Sequence, residues 1–171
     1  EKELCGLPLY CYFFIKTSEL EFSERVRHIC KTECPMYGKT WACPPGVGEV
    51  EEYKNRCLEY DDAVLIATIT EVNDIANIEE TLVTRGEHES ITGQAAEIVK
   101  KQAESVYVLS SEACAICEEC AYPDGPCRHP DKMHPCIESH GIILTALAEK
   151  YGVEFQYGGN IVTWFSLIFF K

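Results

Sequence analysis

Eleven cysteines in 171 residues, gathered mostly into two stretches with no helical or strand period, restrict this chain more than any other feature. The first stretch, Lys31–Gly48, follows Cys30 directly and holds Cys34 and Cys43 among Pro35, Gly38, Pro44, Pro45, Gly46 and Gly48. The second, Ala113–Pro135, holds Cys114, Cys117, Cys120 and Cys127 and runs into Cys136. Breaker residues at this density mark the first stretch as loop, and the missing periodicity does the same for the second. A compact domain seldom keeps a structureless loop beyond about 12–15 residues unless something else organises it. Bound metal would supply that organisation.

The competing use of so many cysteines is a secreted disulfide framework. Three observations weigh against it. The cysteine count is odd. A hydrophobic content of 46% lets a chain of this length bury a core without crosslinks. No secretory signal is visible, because Glu1-Lys2-Glu3 lacks a basic region and Leu7–Ile15 carries no small-residue cleavage pattern. The expectation is one domain spanning residues 1–171, in a reducing cytoplasm where close cysteines serve metal binding or catalysis.

The formal charge of -13 repels phosphate backbones, so no nucleic-acid partner is expected. Acidity keeps a small protein dispersed, and it also offers a docking surface for a basic redox partner protein. The apolar run Ile161–Phe170 is far shorter than the roughly 20 residues of a spanning helix. It reads as a buried strand, and no membrane association is expected.

Between the cysteine stretches the periodicities alternate. Strands are expected at Leu9–Lys16, Ala63–Ile69 and Val106–Ser110. Ser23 caps a short helix ending near Cys30, and further helices are expected at Glu49–Tyr60, Ile75–Thr84, Gln94–Gln102 and Ile137–Tyr151, with Gly86 and Gly93 separating the middle pair. Val153–Tyr157, the turn Gly158-Gly159-Asn160 and Ile161–Phe169 read as a terminal hairpin. The fold class is therefore α/β, with α+β as the variant: a small mixed β-sheet with flanking helices and two long cysteine-bearing loops. A free sheet edge would suit a homodimer.

Cys114-x2-Cys117-x2-Cys120 lets one short loop wrap three corners of a cube, the run that bacterial ferredoxins use for a [4Fe–4S] cluster. Structural zinc favours separated pairs instead, so iron–sulfur is the expectation, one or two clusters per chain, with zinc as the alternative. Cys127 belongs to the same loop. Cys30-x3-Cys34 opens like a radical-SAM run, but Tyr37 stands where a further cysteine is needed. Cys43-Pro44 matches the way ferredoxin-type runs supply a ligand from elsewhere in the chain. Two groupings follow. Each loop holds its own cluster, or Cys43 completes the Cys114/Cys117/Cys120 set while Cys30, Cys34 and Cys127 serve another. Cys136 is the candidate eighth ligand; without one, an iron is left open to water or substrate. Cys57 is a second candidate for that place, although its position on a helix reads as core, and Cys5 and Cys11 are expected to pack as small hydrophobes.

Taken in order, Cys30-x3-Cys34, Tyr37-Gly38, Trp41-x-Cys43-Pro44-Pro45, Cys114-x2-Cys117-x2-Cys120, Cys127-Arg128-x-Pro130 and Glu138-x2-Gly141-Ile142 resemble the predicted metal-binding proteins grouped as domain of unknown function 2284, a family of anaerobic bacteria and archaea. The resemblance covers nearly the whole chain. It implies a cysteine-bound metal centre and carries no established activity. The chain departs from the family pattern at Cys136, where a small polar residue is commoner, which weighs against a family-wide ligand role for that position.

Around the cysteines, Arg128 either offsets the negative charge of a cluster or pairs with Glu118, Glu119 or Asp131. His129, His134 and His140 are zinc ligands under the alternative reading and surface or helix-cap residues otherwise. Glu138 is placed to favour a helix start, with a general-acid role as the sharper reading. Trp41 either shields a cluster from water or anchors its loop. Gly46 and Gly48 are followed by no Lys or Ser/Thr, so no phosphate loop is read there. Three functions compete: an electron-transfer or redox-accessory protein, an enzyme with an open iron site for a small substrate, and a zinc-stabilised interaction module.

Overall fold

The computed structural model describes residues 1–155 and 157–171. Four strands, β1 (Cys11–Lys16), β2 (Asp62–Glu71), β3 (Val106–Ser110) and β4 (Ile161–Phe170), form one sheet in the order β1-β2-β4-β3. Every ladder is antiparallel. Parallel pairing is confined to an isolated bridge between Ser110 and Cys136, so the expected mixed sheet reduces to that one contact. β2 and β3 run the same way with β4 between them, which makes β2, the following helix and β3 a split β-α-β unit.

The side-chain period of two assigns the faces. Ala63, Leu65 and Ala67 of β2, Tyr107 and Leu109 of β3, and Phe165, Leu167 and Phe169 of β4 enter one core with Ile137, Ile142, Leu144 and Leu147. The alternate residues Val64, Ile66, Val108 and Ile168 meet Leu4 and Ala95 on the other side. β2 and β4 are central strands covered on both faces, which is why they read as nearly unbroken apolar runs.

Helix α1 (Glu24–Glu33) starts at the expected cap, the Ser23 side chain accepting from the Arg25 amide at 3.2 Å, but it runs three residues past Cys30. Helix α2 (Val50–Cys57) lies where expected. The two helices expected within residues 75–102 are one, α3 (Ile78–Lys100), which passes through both glycines. A glycine costs an interior helix about 1 kcal/mol, and burial against the sheet outweighs two of them. The expected helix Ile137–Tyr151 is broken into a 3₁₀ turn at Glu138–His140 and helix α4 (Leu144–Lys150). Gly141 makes the break. It has φ +74°, and an added Cβ would stand 2.8 Å from Val50 Cγ1 and 3.1 Å from the Ser23 carbonyl. The first arm expected for the terminal hairpin includes Gln156, which lies outside the described residues; the described residues around it form no strand, and β4 pairs with β2 and β3. Among the described residues no helix is long and apolar enough to cross a membrane.

Candidate metal centres

Helix α1 delivers the first two thiols. Cys30 lies in its last turn, and Cys34 caps its C-terminal end with extended backbone. Arg27 on α1 fixes where that end lies, its Nη1 donating to the Gly48 carbonyl at 2.8 Å and to the Ser139 carbonyl at 2.5 Å. One guanidinium thus ties the helix to the first cysteine loop and to the turn that follows Cys136.

Cys43 and Cys136 come to the same place from opposite ends of the chain. The Cys136 amide donates to the Ala42 carbonyl at 3.0 Å, and the neighbouring Ile137 amide donates to Ser110 at the end of β3. Cys43, Cys136 and Ala113 pack as a small buried cluster with Met36 against it. Gly46 lets the loop close: an added Cβ would lie 2.8 Å from the Thr40 carbonyl and 3.1 Å from that of Cys43. Burial pushes the Cys43 thiol up to about 11, with Cys34, Cys30 and Glu112 adding and the Thr40 hydroxyl opposing. Cys30 also rises to about 11, through burial first and then Glu138 and Cys34. Cys136 rises well above its ordinary value through burial, Glu138 and Cys43. These influences bring Cys30, Cys34, Cys43 and Cys136 into one neighbourhood as candidate ligands.

Glu138 belongs to this neighbourhood as well. The Cys136 thiol donates to Glu138 Oε2 at 2.7 Å, and burial raises the Glu138 carboxyl above its usual range. Instead of opening a long helix, Glu138 sits in the 3₁₀ turn with its carboxyl on a candidate ligand.

Cys114, Cys117, Cys120 and Cys127 line a second, small pocket together with Trp41, Arg128 and His129. Trp41 comes from the first loop. Its Nε1 donates to the Gly125 carbonyl at 2.9 Å, and its ring meets Tyr122 edge-on at 4.9 Å. Shielding and anchoring are therefore one role for Trp41. Among the described residues Arg128 pairs with no carboxylate; its Nη1 donates to the Glu119 carbonyl at 2.7 Å. Burial raises the Cys114 thiol, and the buried Arg85 guanidinium partly offsets this.

The remaining cysteines and histidines separate from these sets. Cys57 is fully buried in the main core, and Cys11 packs on its margin. Cys5, expected as a packed hydrophobe, is exposed and bonded through sulfur to the Tyr12 hydroxyl at 3.0 Å. His140 is wholly buried, Nε2 meeting the Tyr107 hydroxyl at 2.6 Å and Nδ1 the Cys136 carbonyl at 3.0 Å. With both nitrogens engaged inside the protein, it is neither a surface residue nor free to ligate. His134 Nδ1 pairs with Glu89 Oε2 at 2.9 Å, and His129 stays in the wall of the second pocket. None of the eleven cysteines forms a disulfide.

Sequence reasoning missed three residues beside these sets. Thr40 is 3% exposed, and among the described residues its hydroxyl has no partner in full hydrogen-bond geometry, although it lowers the Cys43 thiol; nothing in the sequence marks it. Arg85, 2% exposed, donates Nε to the Ser111 carbonyl at 3.1 Å and pairs with Glu89 at 3.2 Å. The i,i+4 spacing of Arg85 and Glu89 was a usable signal.

The donor chemistry fits a soft metal or an iron–sulfur group. Thiolates select such centres, and a buried hydroxyl without a partner beside Cys43 is suited to donate to a ligating sulfur. Among the described residues, no three His, Cys, Asp or Glu side chains converge as ligands of one ion. The sets are thus defined by shared walls and mutual electrostatics.

An α/β sheet protein whose two cysteine-bearing loops lie side by side is, as a class, a candidate cysteine-based metal-binding domain. Residues 13–170 match the family described as predicted metal-binding protein DUF2284, and the chain belongs to that family. No curated relative and no solved structure matches it.

Proposed function

We propose that this chain is an iron–sulfur protein, holding [4Fe–4S] clusters and serving electron transfer as a carrier or redox accessory. The observation that carries the reading is the wall formed by Cys114, Cys117, Cys120 and Cys127, a C-x2-C-x2-C run completed by a fourth thiol of the same loop on one pocket. Cys30, Cys34, Cys43 and Cys136 are the further ligands. A cluster bound there supplies reversible one-electron chemistry. The chain's own residues do the rest. Trp41 and Tyr122 exclude water from the second pocket. Arg128 and Arg85 bring positive charge toward thiolates that would otherwise repel added electrons. The acidic surface offers a dock for a basic redox partner, and unpaired thiols suit a reducing cytoplasm.

Anaerobic purification tests this directly. Expected are a brown protein, iron with acid-labile sulfide, and visible absorption that bleaches on reduction. A colourless protein holding zinc without iron or sulfide overturns it and leaves the zinc-stabilised interaction module.

A second reading rests on the cleft of about 1660 Å³ that runs along the outer edge of β3 and shares Trp41, Ile116, Cys127 and Met133 with the second pocket. Such an approach to Cys127 suits an enzyme acting on a small substrate at an open iron. That enzyme predicts a spectrum of the reduced protein that changes with small ligands; a signal indifferent to cyanide, thiolates and small carboxylates favours the carrier. The cleft exceeds the roughly 300–1,000 Å³ of fitted ligand pockets, and both sets have four thiols, so the carrier is preferred.

A further inference from the structure

We infer that the eight cysteines make two separate four-thiolate centres, Cys30/Cys34/Cys43/Cys136 inside and Cys114/Cys117/Cys120/Cys127 outside, set back to back and close enough to couple magnetically when both hold clusters. The inference deepens the iron–sulfur reading and rests on it.

The partition follows from which walls the thiols share. Cys43 packs with Cys136 and Ala113 and is absent from the lining of the second pocket, where the fourth position belongs to Cys127. This weighs against the grouping in which Cys43 completes the C-x2-C-x2-C run. Cys136 joins the inner set through its contact with Cys43, its amide bond to Ala42 and its place beside Glu138.

Covalent geometry sets the closeness. Ala113 packs against the inner thiols, and the next residue, Cys114, lines the outer pocket. Consecutive Cα atoms are about 3.8 Å apart. On the other side Trp41 lines the outer pocket while Cys43, two residues on, belongs to the inner set. Two residues span at most about 7 Å. Two independent chain segments therefore bridge the centres, each by no more than two residues.

The test uses the full chain, reconstituted anaerobically with iron and sulfide, and reads metal content and the electron paramagnetic resonance of the dithionite-reduced protein. Wild type should hold about eight iron and eight sulfide, as two four-iron clusters require, and show a spectrum broadened by spin–spin interaction. Cys117→Ser with Cys120→Ser, or Cys34→Ser with Cys136→Ser, should each leave about half the iron and an isolated-cluster signal. Wild type with only about four iron, a double variant that keeps all its iron, or one that loses all of it while its circular dichroism stays native, overturns the partition and leaves the iron–sulfur reading standing. Should a variant fail to fold, wild type decides alone, since two magnetically independent signals in the reduced protein overturn the adjacency. Absence of iron and sulfide from wild type overturns the underlying reading instead.

Discussion

Among the described residues the buried Thr40 hydroxyl has no partner in full hydrogen-bond geometry, yet it lowers the Cys43 thiol as a weak donor to that sulfur would. Bound metal makes the sulfur a thiolate and strengthens such a contact. Thr40→Val should therefore cost the loaded protein more than the metal-free one, by about 1 kcal/mol, while lowering the reduction potential of the inner centre. Thermal midpoints in both states, with a redox titration, check this; equal shifts in both would contradict it. Cys57 makes the opposite case. Its thiol is pushed up to about 12 by burial in the main core, a cluster distinct from the one that holds Cys43 and Cys136. Cys57→Ala should cost on the order of 1 kcal/mol and leave iron content unchanged, read by denaturant titration and metal analysis.

Helix α3 carries two predictions. Gly86 and Gly93 lie mid-helix with nothing within 4 Å of an added Cβ. Alanine at both should raise stability by about 1–2 kcal/mol in all; a lower thermal midpoint would show that the cleft they line is filled. The second concerns His88, held between Thr68 and Ser166 at 2.8 Å each. Burial lowers His88 to about 4 and His140 to about 3. Between pH 6.5 and those values the unfolded chain takes up protons that the folded chain refuses. Stability is therefore full above pH 6.5 and falls as pH drops through 4 and then 3. At pH 5 the loss is about 2 kcal/mol per histidine, at ~1.4 kcal/mol per pH unit. Equal denaturant midpoints at pH 7 and pH 5 would contradict it. These elements also show what the sequence carried. β3 was readable to the residue because its ends are local, and α1's start because Ser23 caps it. The joining of α3 and the pairing of β4 with β2 and β3 were decided by burial against strands distant in sequence, which no local pattern encodes. The C-x2-C-x2-C set was readable for the same local reason, whereas the company of Cys30, Cys34, Cys43 and Cys136 depends on contacts across about a hundred residues of chain.

At the scale of the molecule, the two large apolar clusters flank the sheet, and the cysteine cluster lies apart from both. The sheet's two cores are therefore built without the cysteine cluster, while the loops at 34–48 and 113–135 hang on a few cross-ties such as Arg27 to Gly48, Trp41 to Gly125 and Cys136 to Ala42. Removing metal with a chelator under anaerobic conditions should leave far-ultraviolet circular dichroism nearly unchanged and open those two loops to protease and hydrogen exchange. Cooperative loss of the whole sheet would show that the frame needs the metal.

β4 lies between β2 and β3, which are paired with it and not with each other, and it follows both cysteine loops in chain order. During synthesis every candidate ligand thus leaves the ribosome before the strand that joins the two halves of the sheet. Thiols handed metal at that stage would meet it without a frame, so faithful loading belongs after translation, when Ile161–Phe170 has closed the sheet and Cys136 has been drawn against Cys43.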